Sequence, residues 1–183
     1  MRAVRMQKIS AQKKSARHDE RLILSLQLGE VLQAKNQQIC VAESCTGGGL
    51  AAAITAVAGS SAWFECGFVA YSNAIKTRLL GVPPTIFSTV GAVSAECVAA
   101  MSAGALAACE AHYAVAISGI AGPGGGTPTK PVGTVWIAWR YRADKGMPVT
   151  DSRLNIQQFL FTGDRQAVRR QAVVAALRGV LDQ

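Results

Sequence analysis

Two short segments, "ICVA" at 39–42 and "YAVAISG" at 113–119, are almost continuously apolar. A strand with one wet face alternates apolar and polar residues, because successive side chains point to opposite sides. Segments without that alternation need apolar cover on both faces, the situation of central strands in a sheet packed between helices. Each segment leads straight into an unusual loop, "ESCTGGG" (43–49) and "SGIAGPGGG" (118–126). Loops at the carboxyl ends of such strands are where open α/β folds place their ligands. If both strands are central, the two loops face each other across one crevice.

The rest of the chain supplies the covering layers. Leu22, Leu26, Val31 and Leu32 recur at helical spacing and predict a helix over Asp19 to Lys35. Small residues over Gly47 to Val57 predict a second helix, and "FECGFVAY" (64–71) a second strand. "SNAIKTRLL" (72–80) reads as a short helix stopped by Gly81 and the following "PP". The segment 94–111 is a helix opened by Ser94, rich enough in alanine and glycine to pack closely on a neighbour. "TVWIAWRYR" (134–142) alternates with period two, and "LNIQQFLF" (154–161) follows a turn, which predicts an antiparallel pair. An amphipathic helix over 163–182, with Asp164 near its start, ends the chain. The expected fold is α/β, a three-layer α/β/α sandwich on a mixed sheet.

Composition narrows the function. The chain has 183 residues, half of them apolar, enough for one domain over 19–183 with a real core. Its formal charge of +8 draws six positive charges from Arg2, Arg5, Lys8, Lys13, Lys14 and Arg17, all before the first acid at Asp19. The charge therefore describes a basic, disordered extension over 1–18 rather than a binding face, and nucleic acid is not the expected partner. Aromatic residues do not interleave with the basic ones as on a single-strand-binding surface. No apolar run spans a bilayer, and no secretory signal opens the chain, so no membrane association is expected. The five cysteines (Cys40, Cys45, Cys66, Cys97 and Cys109) are odd in number and lack CxxC spacing. Four lie in surroundings that suit buried free thiols, which points to a reduced, cytoplasmic protein. With only His18 and His112 available, neither a histidine zinc site nor a Ser-His-Asp triad is expected, and no metal or cofactor is called for. The small-residue helix 94–111 suits a subunit interface as well as a core, and a homo-oligomer is expected.

Three constellations carry possible chemistry. In the first loop, Ser44 or Thr46 caps the next helix, or Ser44 is a nucleophile facing backbone N–H groups that Gly47 and Gly48 leave approachable. Cys45, beside it, is intrinsically the better nucleophile, and the residue types leave both readings open. In the second loop, Gly122, Gly124 and Gly125 form either a plain surface loop or a nest of N–H groups suited to phosphate. Lys130 nearby is either solvated or part of that site. In "VAYSNAIKTRLLG" (69–81), Tyr71, Asn73 and Lys76 stand where a strand becomes a helix. A lysine there is either an exposed charge or, if buried, a base whose lowered pKa lets it accept a serine proton.

Taken together, "AESCTGG", "GSSAWFECGFVAYSNAIKTRLLGV", "GAVS", "ISGIAGPGGGTPTKPVGTVW" and "FTGDRQAVRRQAV" resemble the nicotinamide-nucleotide amidase family, equivalent to the C-terminal domain of the competence-damage-inducible protein CinA. The resemblance covers roughly residues 20 to 181. It implies deamidation of nicotinamide mononucleotide to nicotinate mononucleotide and ammonia, in pyridine nucleotide recycling and without a metal or cofactor. It further implies catalytic roles for Ser44 as nucleophile, Lys76 as base, Tyr71 as their assistant and Ser118 as a hydroxyl group. Thr46, Gly47, Gly48, Asn73, Gly122, Gly124 and Gly125 fall where substrate is bound. Gly124 departs from the family pattern, which often has an acidic residue there. The alternative expectation is a nucleotide- or phosphate-binding module of the same fold without turnover.

Overall fold

The structure, a computed structural model, describes residues 19–183; the basic extension lies outside the described residues. Its centre is a parallel pair. β1 (Ile39–Glu43) runs beside β3 (Tyr113–Gly119), with Ile39 opposite Tyr113 and Glu43 opposite Ile117. Every residue of β1 is buried, and β3 is buried from Tyr113 to Ser118, as their unbroken apolarity requires. β2 (Phe64–Val69) lies parallel on the other side of β1. β4 (Thr134–Tyr141) is antiparallel to β3, and β5 (Arg153–Leu160) antiparallel to β4. The strand order is β2-β1-β3-β4-β5, a mixed sheet.

Six helices cover the two faces: α1 (Glu20–Ala34), α2 (Gly49–Thr55), α3 (Asn73–Leu80), α4 (Pro84–Thr89), α5 (Ala95–Ala107) and α6 (Arg165–Leu181). One core joins α1, α2 and α6 to the sheet through Leu28, Leu50, Ile54, Val173 and Leu177 against Val41, Val115 and Ile137. The other joins α3 and α5 through Leu80, Val98, Met101 and Leu106 against Ala42, Ala114, Ala116 and Ala138. This is the α/β/α sandwich that the sequence predicts. Side-chain caps open four helices: Asp19, Ser72, Ser94 and Asp164 accept N–H groups from Arg21, Ile75, Cys97 and Ala167.

Several expectations change in detail. α4 begins at Pro84, where the sequence reads as a break. Proline fits the first helical position because its missing N–H has no partner there anyway. α4 buries no residue, so no periodicity advertises it. α5 ends at Ala107, short of 111. Of the five thiols, Cys40, Cys45 and Cys97 are buried, but Cys66 and Cys109 are partly exposed.

The alanines on the α5 face of the sheet bring that helix in close, and its glycine does the same toward α3. A Cβ on Gly104 would lie 1.9 Å from the carbonyl oxygen of Leu80. Gly104→Ala gains helix propensity, yet the overlap with backbone has no side-chain escape. The substitution should destabilise the protein by about 1–3 kcal/mol. That corresponds to a fall of several degrees in thermal midpoint, measurable by calorimetry.

Candidate active site

Side chains along β1 alternate between the two cores. Ile39 and Val41 belong to the α1/α2/α6 side, Cys40 and Ala42 to the α3/α5 side. The alternation continues past the strand. The Ser44 N–H donates to the Ile117 carbonyl at 3.0 Å, extending the ladder by one residue. Ser44 therefore turns toward α3, and Cys45 toward α2 and α6, where it is 6 % exposed within the core. Burial pushes the Cys45 thiol up to about 11. Strand parity thus turns Ser44, and not Cys45, toward α3.

Lys76 meets Ser44 from α3. Ser72 caps that helix, placing Lys76 one turn in, and helical side chains lean toward their own N-terminus. Its Nζ lies 3.1 Å from Ser44 Oγ and donates to the Tyr71 carbonyl at 2.9 Å. The side chain is 1 % exposed, and among the described residues no carboxylate pairs with it. Burial pulls the ammonium below its ordinary pKa, the direction a base needs.

After Ser44 the chain turns sharply into α2. Gly47 (φ 56°) and Gly48 (φ 90°) are both left-handed, conformations that glycine adopts without strain. The turn commits the Gly47 N–H to the Ser44 carbonyl at 3.0 Å. Of the two glycines expected to bind an oxyanion, Gly48 is the one whose N–H has no acceptor among the described residues. The next free amides of α2 belong to Glu43. Its fully buried carboxylate accepts from Leu50 N at 3.0 Å and Ala51 N at 2.8 Å, tying the end of β1 to the start of α2.

The remaining expected residues fall around this pair unevenly. Ser118, the next-to-last residue of β3, is 1 % exposed and donates to the Ala92 carbonyl at 2.7 Å. Tyr71 is 59 % exposed; its carbonyl, not its hydroxyl, touches Lys76. Thr46 is fully buried on the opposite side, its hydroxyl unpartnered and its carbonyl accepting from Arg169 at 2.6 Å. Asn73 is exposed at the start of α3, and Gly124 and Gly125 are exposed in the second loop. Nothing lies within 4 Å of a Cβ placed on Gly124, so no steric demand keeps a side chain out of that position. Lys130, readable as a solvated charge, instead donates to the carbonyls of Val90 and Val93 at 2.6 and 2.8 Å. His112 lies at the other end of the sheet, where its Nδ1 accepts from Gln38 N at 3.1 Å.

Arg165 is the residue that sequence reading passes over. Its guanidinium reaches the Tyr71 hydroxyl at 3.1 Å and the Gly122 carbonyl at 2.8 Å, joining the segment before α3 to the second loop. A cation on the first residue of a helix opposes the helix dipole, and that mismatch is the signal legible in "GDR".

A family model described as the CinA C-terminal domain matches residues 22–183. The chain belongs to the CinA C-terminal domain family. It is 58 % identical over 158 residues to a Pseudomonas putida protein named nicotinamide-nucleotide amidohydrolase PncC, covering 86 % of this chain and 93 % of that one. It is 48 % identical over 164 residues to the Escherichia coli K12 protein of the same name, covering 90 % and 94 %. Among solved structures, the competence/damage inducible protein CihA of Agrobacterium tumefaciens superposes with a TM-score of 0.83 at 35 % identity, covering 89 % of this chain and 94 % of that one. In this member of the CinA C-terminal family, Glu43 ties the strand that carries Ser44 to α2. Glu43→Gln puts a donor where an acceptor is needed and should cost about 1–3 kcal/mol in denaturant unfolding.

Proposed function

We propose that this chain hydrolyses the carboxamide of nicotinamide mononucleotide to nicotinate mononucleotide and ammonia, with Ser44 as nucleophile and Lys76 as its base. The observation that carries the reading is the buried Nζ–Oγ contact of 3.1 Å, free of any carboxylate that would hold the lysine charged. The name nicotinamide-nucleotide amidohydrolase, borne by the two relatives at 58 % and 48 % identity, suggests the substrate. A cytoplasmic place in pyridine nucleotide recycling and a homo-oligomeric state belong to the same reading. Among the described residues no helix is long and apolar enough to cross a membrane.

The chemistry follows from the geometry. Neutral Lys76 keeps one N–H on the Tyr71 carbonyl and accepts the Ser44 Oγ–H proton as Oγ bonds to the amide carbon. The Gly48 N–H faces the developing oxyanion. Collapse breaks the C–N bond, and the Lys76 ammonium delivers its proton to the departing ammonia. Water then gives a proton to Lys76 and attacks the ester, and Oγ leaves with that proton. Arg165, poised between Tyr71 and Gly122, offers a cation for the phosphate. Asn73, Gly124 and Gly125 border the same opening. Ser118 acts through Ala92, holding the segment before α5 in place.

The test is ammonia release from nicotinamide mononucleotide. Ser44→Ala and Lys76→Met should each lower kcat by about a thousandfold or more, and the double variant should be no worse than either, because the two act as a unit. Cys45→Ala should keep most of the activity. A folded wild type that binds the nucleotide without releasing ammonia would make the protein a binding module instead. The pH profile gives a second check. Only neutral Lys76 is a base, so kcat/KM should rise with pH through an ionisation below the ordinary lysine value of 10.5.

A further inference from the structure

Arg165 and Arg169, four residues apart on α6, lie on one face of that helix. Arg165 reaches the segment before α3 and the second loop. Arg169 reaches the first loop, where its Nη2 donates to the Thr46 carbonyl at 2.6 Å. Among the described residues no carboxylate lies within ion-pair distance of Arg169, and its buried Nε has no partner. A partly buried guanidinium with an unpartnered N–H is destabilising in itself. Its hydrogen bond goes instead to the turn that follows Ser44.

The Thr46 carbonyl is the hub of that turn. It accepts from the Gly49 N–H at 3.1 Å as well as from Arg169. The Gly47 N–H, on the other side of the same peptide unit, donates to the Ser44 carbonyl at 3.0 Å. A peptide unit is planar, so a fixed carbonyl fixes the N–H opposite it. The peptide units before and after Gly47–Gly48 are therefore both tied to Thr46. The Gly47–Gly48 unit itself makes no hydrogen bond at either end among the described residues. It lies between two left-handed glycines (φ 56° and 90°), whose dihedrals change at little steric cost. Its flanks, not a bond of its own, set the direction of the Gly48 N–H. The Thr46 side chain adds no tether, because its hydroxyl is unpartnered. A Cβ placed on Gly47 would lie 3.4 Å from Arg169 Nη2, so the guanidinium packs directly against the first of the two glycines.

We propose that Arg169 is a positioning residue for the amide hydrolysis: it holds the Thr46 carbonyl so that the Gly48 N–H stays aimed at the oxyanion. The role rests on the reading of Ser44 as nucleophile and of Gly48 as donor. Arg169 itself hydrogen-bonds to neither the Ser44 side chain nor Lys76. It acts through the turn, and its effect belongs to the transition state. The oxyanion gains more from an aimed donor than the carboxamide of the bound substrate does. Loss of Arg169 therefore lowers kcat and leaves KM nearly unchanged.

The experiment measures ammonia release from nicotinamide mononucleotide by the full chain carrying Arg169→Met or Arg169→Gln, whose amide ends two bonds short of Nη2. Two variants are made so that one folded protein suffices. Each should lose about tenfold or more in kcat, short of the hundredfold or more that follows outright loss of an oxyanion donor, with KM within about twofold of wild type. The ionisation that governs kcat/KM should not move, because Lys76 is untouched. Arg169→Lys keeps a charged donor and should recover most of kcat. Arg170→Met, on the exposed neighbouring residue, should match wild type. Amide-resolved hydrogen exchange gives a readout without turnover: the Gly47 N–H should exchange about tenfold faster in the Met and Gln variants than in wild type. With an active wild type, a folded variant of unchanged kcat, a rise in KM alone, or unchanged Gly47 exchange would overturn this role and leave the amidase reading standing. A folded wild type that binds the nucleotide without turnover would overturn both together.

Discussion

The parallel pairing of β1 with β3 is the constraint on which the rest depends. Strands with no wet face need helices on both sides, and the two cores supply them. Because the two strands run the same way, their carboxyl ends finish together, and the loops that follow leave the same edge of the sheet. Ser44 follows β1 directly, and Ser118 is the next-to-last residue of β3. Both are set by backbone pairing before any side chain is considered.

A buried lysine without a carboxylate is expensive to keep charged. In the proposed reaction that cost becomes reactivity. Burial favours the neutral amine, and two oxygens, Ser44 Oγ and the Tyr71 carbonyl, hold the nitrogen in place. A carboxylate at this point would restore the charge and remove the base. The nearest acid in the chain, Glu43, faces the opposite layer, where its two oxygens are occupied by the amides of α2. Strand parity thus separates three adjacent residues into three roles. Glu43 anchors the helix, Ser44 faces the lysine, and Cys45 fills the core.

Much of the fold was readable in advance because it rests on local signals: unbroken apolarity for β1 and β3, capping serines and aspartates, and period-two alternation in β4. α4 was not readable, since an exposed one-and-a-half-turn helix leaves no periodic trace. The site was legible as motifs but not as contacts. Ser44, Lys76 and Ser118 were named from the sequence, whereas Arg165 was not, and Lys130 was left undecided. Both act across long separations on backbone carbonyls, and a backbone acceptor carries no residue identity to look for.

By itself the sequence determined the layer architecture, the position of the two loops and the shortage of histidine that makes a lysine the available base. Those properties follow from side-chain type and from spacing along the chain. Only the tertiary structure decided which of Ser44 and Cys45 meets Lys76, that Thr46 turns inward, and that Arg165 reaches Tyr71 and Gly122. Each of these depends on which face of the sheet a side chain occupies and on what another element brings to that face. Such information resides in the pairing register and the packing of layers, not in any contiguous stretch of residues.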